Sequence, residues 1–287
     1  MGRFGVGHGE LSGPEGVAVD AKGRILVADT GNHRIVRFDS TGAYIDQFGG
    51  FGHEENRFDR PTAVFAGNAL AIWVLDRGNA RIVKFDLEGR PIGVVVDLES
   101  EGLRQRLGIV EPGGFDVDAG GRVILTDVVG DRVLEFDPLG ALLSIRGEFG
   151  RQRGRFADPS GVAIDPRGGA WIADGGNRRL QHLDASGAFM RADTLANSSI
   201  KGNRGLALAL HPGGMIAVAD PATGTLEVRS ELGVPLVTRR PADKKDLWAS
   251  GVAFDRAGRL LVADARNHRV VRLVFVPRDV PGDVVAP

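Results

Sequence analysis

The chain has 287 residues, no cysteine, 42 glycines, 25% charged residues and a formal net charge of −1. These values exclude a disulfide framework, a zinc–thiolate site, a cysteine nucleophile and a redox CxxC pair, and they speak against wholesale disorder or a strongly basic nucleic-acid binder. No apolar stretch approaches the roughly 20 residues of a membrane helix, and the start, MGRFGVGHGEL, has no apolar signal core. Membrane insertion is therefore not expected. A cytoplasmic monomer is expected as the chain is written, and a periplasmic or extracellular one if an export signal belongs in front of it.

In chain order, the first predicted strands are Gly16 to Val19, Arg24 to Ala28, Arg34 to Phe38 and Tyr44 to Phe48, all short and rich in Val, Ile and Phe. The second of them ends on Asp29, and five later apolar runs end the same way, on Asp76, Asp127, Asp174, Asp220 and Asp264, spaced 44 to 51 residues apart. That period is the length of a propeller blade. Between the strands Asp-x-x-Gly recurs, as at Asp20/Gly23, Asp39/Gly42, Asp118/Gly121 and Asp255/Gly258. In a tight hairpin the aspartate accepts backbone N–H groups and the glycine takes the positive φ. This accounts for many of the glycines and makes these aspartates turn residues, not calcium ligands.

The expected fold is all-β: a six-bladed β-propeller of four-stranded antiparallel blades forming one domain, 1–287. The blades are expected at about 14–58, 61–98, 112–149, 159–195, 203–240 and 250–277 plus 1–9. Repeat 6 shows only three strands, Gly251 to Phe254, Arg259 to Ala263 and Arg269 to Val276. Because Arg3 to Gly7 and the following HGELSGP look like the fourth strand and linker of repeat 1, the N-terminal strand is expected to complete the last blade and close the ring.

The unit PEGVAVDAKGRILVADTGNHRIVRFDSTG resembles the NHL repeat, with RLLVADARNHRVVRL and AWIADGGNRRLQHLD as close copies. The resemblance runs through all six repeats and implies a six-bladed propeller. It does not choose a function, because proteins of this kind include bacterial sensor-kinase ectodomains, the RNA- and protein-binding domains of Brat and TRIM-NHL proteins, and the lyase that finishes peptide C-terminal amidation. In that lyase histidines bind zinc, with tyrosine and arginine in the channel. Here the one tyrosine, Tyr44, is expected on an outer strand, and no histidine set falls on inner strands.

Five of the six turns after the second strand keep Asp and Arg five positions apart, as in DTGNHR (Asp29 to Arg34) and DGGNRR (Asp174 to Arg179). The aspartate is expected to accept turn N–H groups and to pair with the arginine, as scaffold. Repeat 5 departs, with Thr223 and Thr225 in place of Asn and Arg. His33 and His268 occupy equivalent turn positions and read as repeat residues before they read as a zinc pair.

A ligand site is expected where the inner strands begin, at the channel mouth, with Glu15, Thr62, Ser160, Arg204 and Ser250 around it and Asn203 nearby. Asp116 stands where Ala18, Ala163 and Ala253 stand in the other repeats, so a carboxylate occupies a crowded inner strand. The resemblance to gluconolactonases and regucalcin-like hydrolases supplies a candidate metal set, Glu15, Asp116 and Asn203, for calcium or zinc in the central channel.

The linkers divide by charge. Residues 46–60 and 97–112 each carry a net −2, whereas 147–159, 190–204 and 237–249 carry +1, +2 and +2. Such a split rim orients a partner. The basic half holds Arg239, Arg240, Lys244, Lys245 and Trp248. The reading is a non-catalytic binding scaffold, without a cofactor, that recognises a protein, a peptide or another polar ligand on its loop-rich face. A divalent-metal hydrolase or lyase at the channel mouth is the alternative, and RNA binding by the basic half of the rim the third.

Overall fold

A computed structural model describes residues 1–67, 71–195, 205–243 and 245–274. Blade 1 contains β1 (Gly16–Val19), β2 (Ile25–Asp29), β3 (Arg34–Phe38) and β4 (Tyr44–Gly49). Blade 2 follows with β5 (Pro61–Phe65), β6 (Ile72–Asp76), β7 (Arg81–Phe85) and β8 (Pro91–Asp97), then a short helix α1 (Glu101–Leu107). Blade 3 has β9 (Pro112–Val117), β10 (Val123–Asp127), β11 (Arg132–Phe136) and β12 (Leu142–Arg146). Blade 4 has β13 (Pro159–Ile164), β14 (Ala170–Asp174), β15 (Arg179–Leu183) and β16 (Phe189–Thr194). Blade 5 has β17 (Ala207–Leu210), β18 (Ile216–Asp220), β19 (Thr225–Arg229) and β20 (Pro235–Arg239), and blade 6 has β21 (Ala249–Phe254), β22 (Leu260–Asp264) and β23 (Arg269–Leu273).

Each blade is an antiparallel meander in strand order, four-stranded in blades 1 to 5 and three-stranded in blade 6 among the described residues. The inner strands β1, β5, β9, β13, β17 and β21 contact one another in that order, and β21 returns to β1, so the ring closes. Its core is divided into six apolar clusters, one in each interface between neighbouring blades. This explains the sequence pattern. The second strands, such as ILVAD and IAVAD, are buried at every residue because both sheet faces are covered, whereas β4 and β16 alternate between buried and exposed sides.

Inner strands approach closely, and glycine permits it. A Cβ on Gly251 would lie 1.9 Å from the Glu15 carbonyl oxygen. The Asp-x-x-Gly hairpins form as expected: Asp20 Oδ1 accepts the N–H groups of Lys22 at 2.8 Å and Arg24 at 2.9 Å, and Gly23 has φ +78°.

The N-terminal closure differs from the sequence expectation. Residues Arg3 to Gly7 form no strand. Phe4 makes a parallel bridge to Leu11, as Phe51 does to Phe58 and Phe149 to Phe156, so this segment matches the linker after a fourth strand. Met1 is what sits beside β23: its ammonium donates to the Val270 carbonyl at 2.8 Å, and the Val270 N–H returns a 2.8 Å bond to Met1. The register moves because Phe4-Gly5 aligns with Phe51-Gly52, just past β4. Helix α1 is a second difference, since residues 97–112 read as a plain charged linker.

Candidate binding face and channel

The Asp–Arg pairs tie each blade to the linker that enters it. Asp29, Asp76, Asp127, Asp174 and Asp264 lie fully buried at the ends of second strands, 2.7 to 2.9 Å from Arg34, Arg81, Arg132, Arg179 and Arg269. Their other oxygen takes a linker N–H, for instance Ser12 on Asp29 at 2.6 Å and Ala157 on Asp174 at 2.8 Å. The arginine fork spreads over linker carbonyls: Arg34 donates to Val6, Gly7 and Glu10 at 2.8 to 3.1 Å. Asn32, Asn79, Asn177 and Asn267 bridge the aspartate to a carbonyl of the same linker. The aspartate thus pairs with the arginine of its own turn, as the sequence suggested, and takes a turn N–H at Asp127 and Asp264; the linker N–H on its other oxygen is the partner the sequence did not show. In blade 5 Asp220 accepts the Ala222 N–H of its own turn at 2.9 Å.

The turn residue in the left-handed region is His33, Ala80, Asp131, Arg178 or His268, with φ between 48° and 56°, and three of these side chains add a second grip. His268 Nδ1 accepts the Gly13 N–H at 2.9 Å, His33 Nδ1 accepts Arg60 at 3.0 Å, and Asp131 accepts Asp158 at 2.9 Å. In each histidine Nδ1 is thus the acceptor of a linker amide, which leaves Nε2 as the donor nitrogen of the neutral ring.

Two cavities run along the central channel. The mouth cavity, about 130 Å³, is lined by Glu15, Thr62, Arg77, Gly113 and Ser250 among others. Ser160 does not line it. Its hydroxyl is buried with no hydrogen-bond partner among the described residues, and its Cβ lies 2.1 Å from where a Cβ on Gly205 would stand. Ser250 lines the mouth with its hydroxyl turned inward, donating to the Pro14 and Ala263 carbonyls and accepting Ala265 N–H. The Thr62 hydroxyl oxygen is likewise buried and has no hydrogen-bond partner among the described residues. Arg77 pairs with Glu111 across the second linker at 2.5 Å. Asn203 and Arg204 lie outside the described residues.

The larger cavity, about 580 Å³, lies beyond a waist formed by one residue per blade: Val17, Val64, Phe115, Val162, Leu208 and Val252 line both spaces. Asp116 lines this second cavity and not the mouth. Its Oδ1 accepts the Val117 N–H at 2.8 Å and its Oδ2 the Ile164 N–H of blade 4 at 2.7 Å. Desolvation by the surrounding protein pushes its pKa up to about 7, against those two hydrogen bonds. Glu15 and Asp116 therefore sit on opposite sides of the waist. Among the described residues no three His, Asp or Glu side chains come together to hold a metal, and Asn203, the third member of the expected set with Glu15 and Asp116, lies outside the described residues.

On the rim, Arg239 is paired with Asp246 at 2.8 Å. Backbone N–H groups of Ala242 and Leu247, and then Arg239, pull the Asp246 carboxyl down to about 2. The Trp248 indole donates to the Pro221 carbonyl at 2.9 Å, and the Arg266 guanidinium covers its ring at 3.5 Å from the centroid. The ring is thus an internal strut of the loop. Lys244 lies outside the described residues.

Sequence reasoning missed the exposed apolar residues of this face. Phe4, Phe51 and Phe149 are 69%, 68% and 73% exposed at equivalent linker positions, with Phe4 4.6 Å from the His268 ring and Phe51 5.0 Å from that of His33. Val6 and Ile109 add to them, with Val129 on the turn after β10, so four consecutive linkers, from blade 6 round to blade 4, present apolar side chains. The signal was legible as Phe-Gly seven residues before Leu11, Phe58 and Phe156.

The NHL repeat family profile matches residues 11–38, 156–183 and 247–273, which carry these nodes. The chain is a six-bladed propeller that carries NHL repeats. Protein brain tumor of Drosophila melanogaster is 45% identical to this propeller over 64 residues, 22% of this chain and 6% of that protein. The similarity thus spans a small fraction of the curated relative's length. In fold the propeller is similar to a chain of the nidogen/laminin complex, with TM-score 0.64 and 17% identity over 86% of this chain and 87% of that one. It is similar as well to a gluconolactonase from Xanthomonas campestris, with TM-score 0.64 and 16% identity over 90% and 85% of the two chains. Identities this low establish a shared fold and nothing about activity. No helix among the described residues of the propeller is long and apolar enough to cross a membrane.

Proposed function

We propose that this NHL propeller is a binding scaffold that docks a protein or peptide on its loop-rich face. One observation carries the reading: the apolar half-ring of Phe4, Val6, Phe51, Ile109 and Phe149 on four successive linkers, with Val129 on the turn after β10. Single exposed apolar residues are ordinary, but aromatic side chains repeated at one structural position on one face mark an interaction site. The linkers are held in place by the buried Asp–Asn–Arg nodes, so docking requires little ordering of the face. The nidogen/laminin chain shares the fold and belongs to a complex between proteins, which is consistent with this use. The metal-hydrolase alternative has less support, because the carboxylates it needs lie on opposite sides of the waist.

Peptides selected from a random display library on the intact chain test the proposal. Selected peptides are expected to lose at least about tenfold in affinity, roughly 1.4 kcal/mol, for the triple variant Phe4→Ser, Phe51→Ser, Phe149→Ser. Peptides that bind both proteins equally would place docking elsewhere. Salt-sensitive binding of RNA that is lost with Arg240→Ala and Lys245→Ala, and kept in the triple variant, would transfer the function to the basic half of the rim.

A further inference from the structure

The channel beyond the waist stands apart from the docking face. Its wall is built from the inner strands β1, β5, β9, β13, β17 and β21 and their following turns, and most of it is apolar, with Phe65 and Phe254 as its large side chains. Among the described residues three carboxylates line it, and no Lys, Arg or His does. Two of the three have a basic side chain behind the wall: Asp118 pairs with Arg122 at 2.9 Å, and Asp165 lies 2.7 Å from His182 Nε2. Asp116 has no basic partner among the described residues. Its hydrogen-bond partners among the described residues are two backbone N–H groups, one on each oxygen. A carboxylate offers about four acceptor directions, so capacity remains toward the cavity. The equivalent positions in other blades are Ala18, Phe65, Ala163, Ala209 and Ala253, so the fold itself does not call for a charge there.

From this geometry we infer that the channel beyond the waist is a binding site for a small organic ammonium ion, whose charged head pairs with Asp116 and whose apolar body lies against the aliphatic and phenyl walls. A buried carboxylate is destabilising when unbalanced, and a ligand cation removes that penalty while its hydrocarbon part is transferred from water. A volume of about 580 Å³ falls in the range of small-molecule sites. A bare divalent ion fits less well, since no set of three acidic or histidine ligands gathers among the described residues. The same ammonium chemistry arises from a free amine or from a lysine side chain of a peptide. This site is separate from the phenylalanine rim, so either inference can fail without the other.

Calorimetric titration of the intact chain with butylammonium and phenethylammonium chloride, with Nα-acetyllysine amide as the peptide arm and 2-phenylethanol as the neutral control, tests it. The amines are expected to bind and to raise the melting temperature, with at least about tenfold weaker affinity in Asp116→Asn and no comparable binding of the alcohol. Tighter binding of the lysine amide than of butylammonium assigns the cation to a peptide, and the reverse assigns it to a free amine. Affinity should rise as pH passes through about 7, where Asp116 ionises, with the Asp118–Arg122 and Asp165–His182 pairs facing the same cavity. Absence of binding by all three amines, or equal binding to Asp116→Asn, overturns the inference. So does an Asp116→Asn variant that loses thermal stability while its response to amines stays unchanged, because Asp116 would then serve only to hold Ile164.

Discussion

The Asp116 carboxyl favours its protonated form in the fold, with its pKa raised from 3.8 to about 7 by burial. Because the folded state binds the proton more tightly than the unfolded chain, this residue leaves stability highest below the unfolded value and lowers it as pH rises toward 7. Urea midpoints measured at about pH 5 and about pH 8 should show the wild type losing stability relative to Asp116→Asn, whose side chain does not titrate; parallel profiles would contradict the burial argument. Arg178 offers a second residue-scale test. It is exposed and holds φ +53°, which glycine adopts without strain. Arg178→Gly should stabilise the protein by about 1 kcal/mol in denaturant titration, and a loss would show that its side chain contributes to the linker grip. At this scale the sequence made Asp116 visible, since it breaks the GVAV pattern of inner strands. The other side of the waist and the bond to Ile164 were not visible, because both come from a neighbouring blade.

Among elements, the linkers and the turns that hold them explain why the repeat keeps Asp, Asn and Arg together. Asp174 accepts bonds from Ala157, Asn177, Arg179 and Gln181 while fully buried. Asp174→Ala leaves those donors, one of them charged, without an acceptor, and unfolding free energy should fall by about 3–5 kcal/mol. A change under about 1 kcal/mol would reduce the node to a surface ion pair. The sequence showed the Asp–Arg spacing and assigned it to scaffold. Its target, a linker some 17 to 28 residues upstream, was hidden because hydrogen bonds to backbone carbonyls leave no trace in residue type. Helix α1 had a trace that went unread: Glu101 follows Ser100, and Leu103 and Leu107 are four apart on one side.

For the whole molecule, ring closure depends on the N-terminal segment. Leu11 is fully buried in the cluster between blades 6 and 1, Arg34 holds three carbonyls of residues 6–10, and Met1 pairs with Val270. Removing residues 1–13 should lower stability by roughly 3 kcal/mol or more, from the lost leucine burial and the stranded arginine. An unchanged melting temperature would show that the ring closes without the segment.

Length, glycine punctuation and a period near 47 residues were enough to determine the strands, the six blades and the closed ring, because each is set by local turn chemistry and by the alternation of buried and exposed positions. They also marked Asp116 as anomalous. Only the tertiary structure decided what faces what: Phe4, Phe51 and Phe149 together on one rim, Trp248 capped by Arg266, and Glu15 parted from Asp116 by an apolar waist. These relations join residues from different blades. Their positions depend on how six sheets pack around an axis, which no single repeat contains.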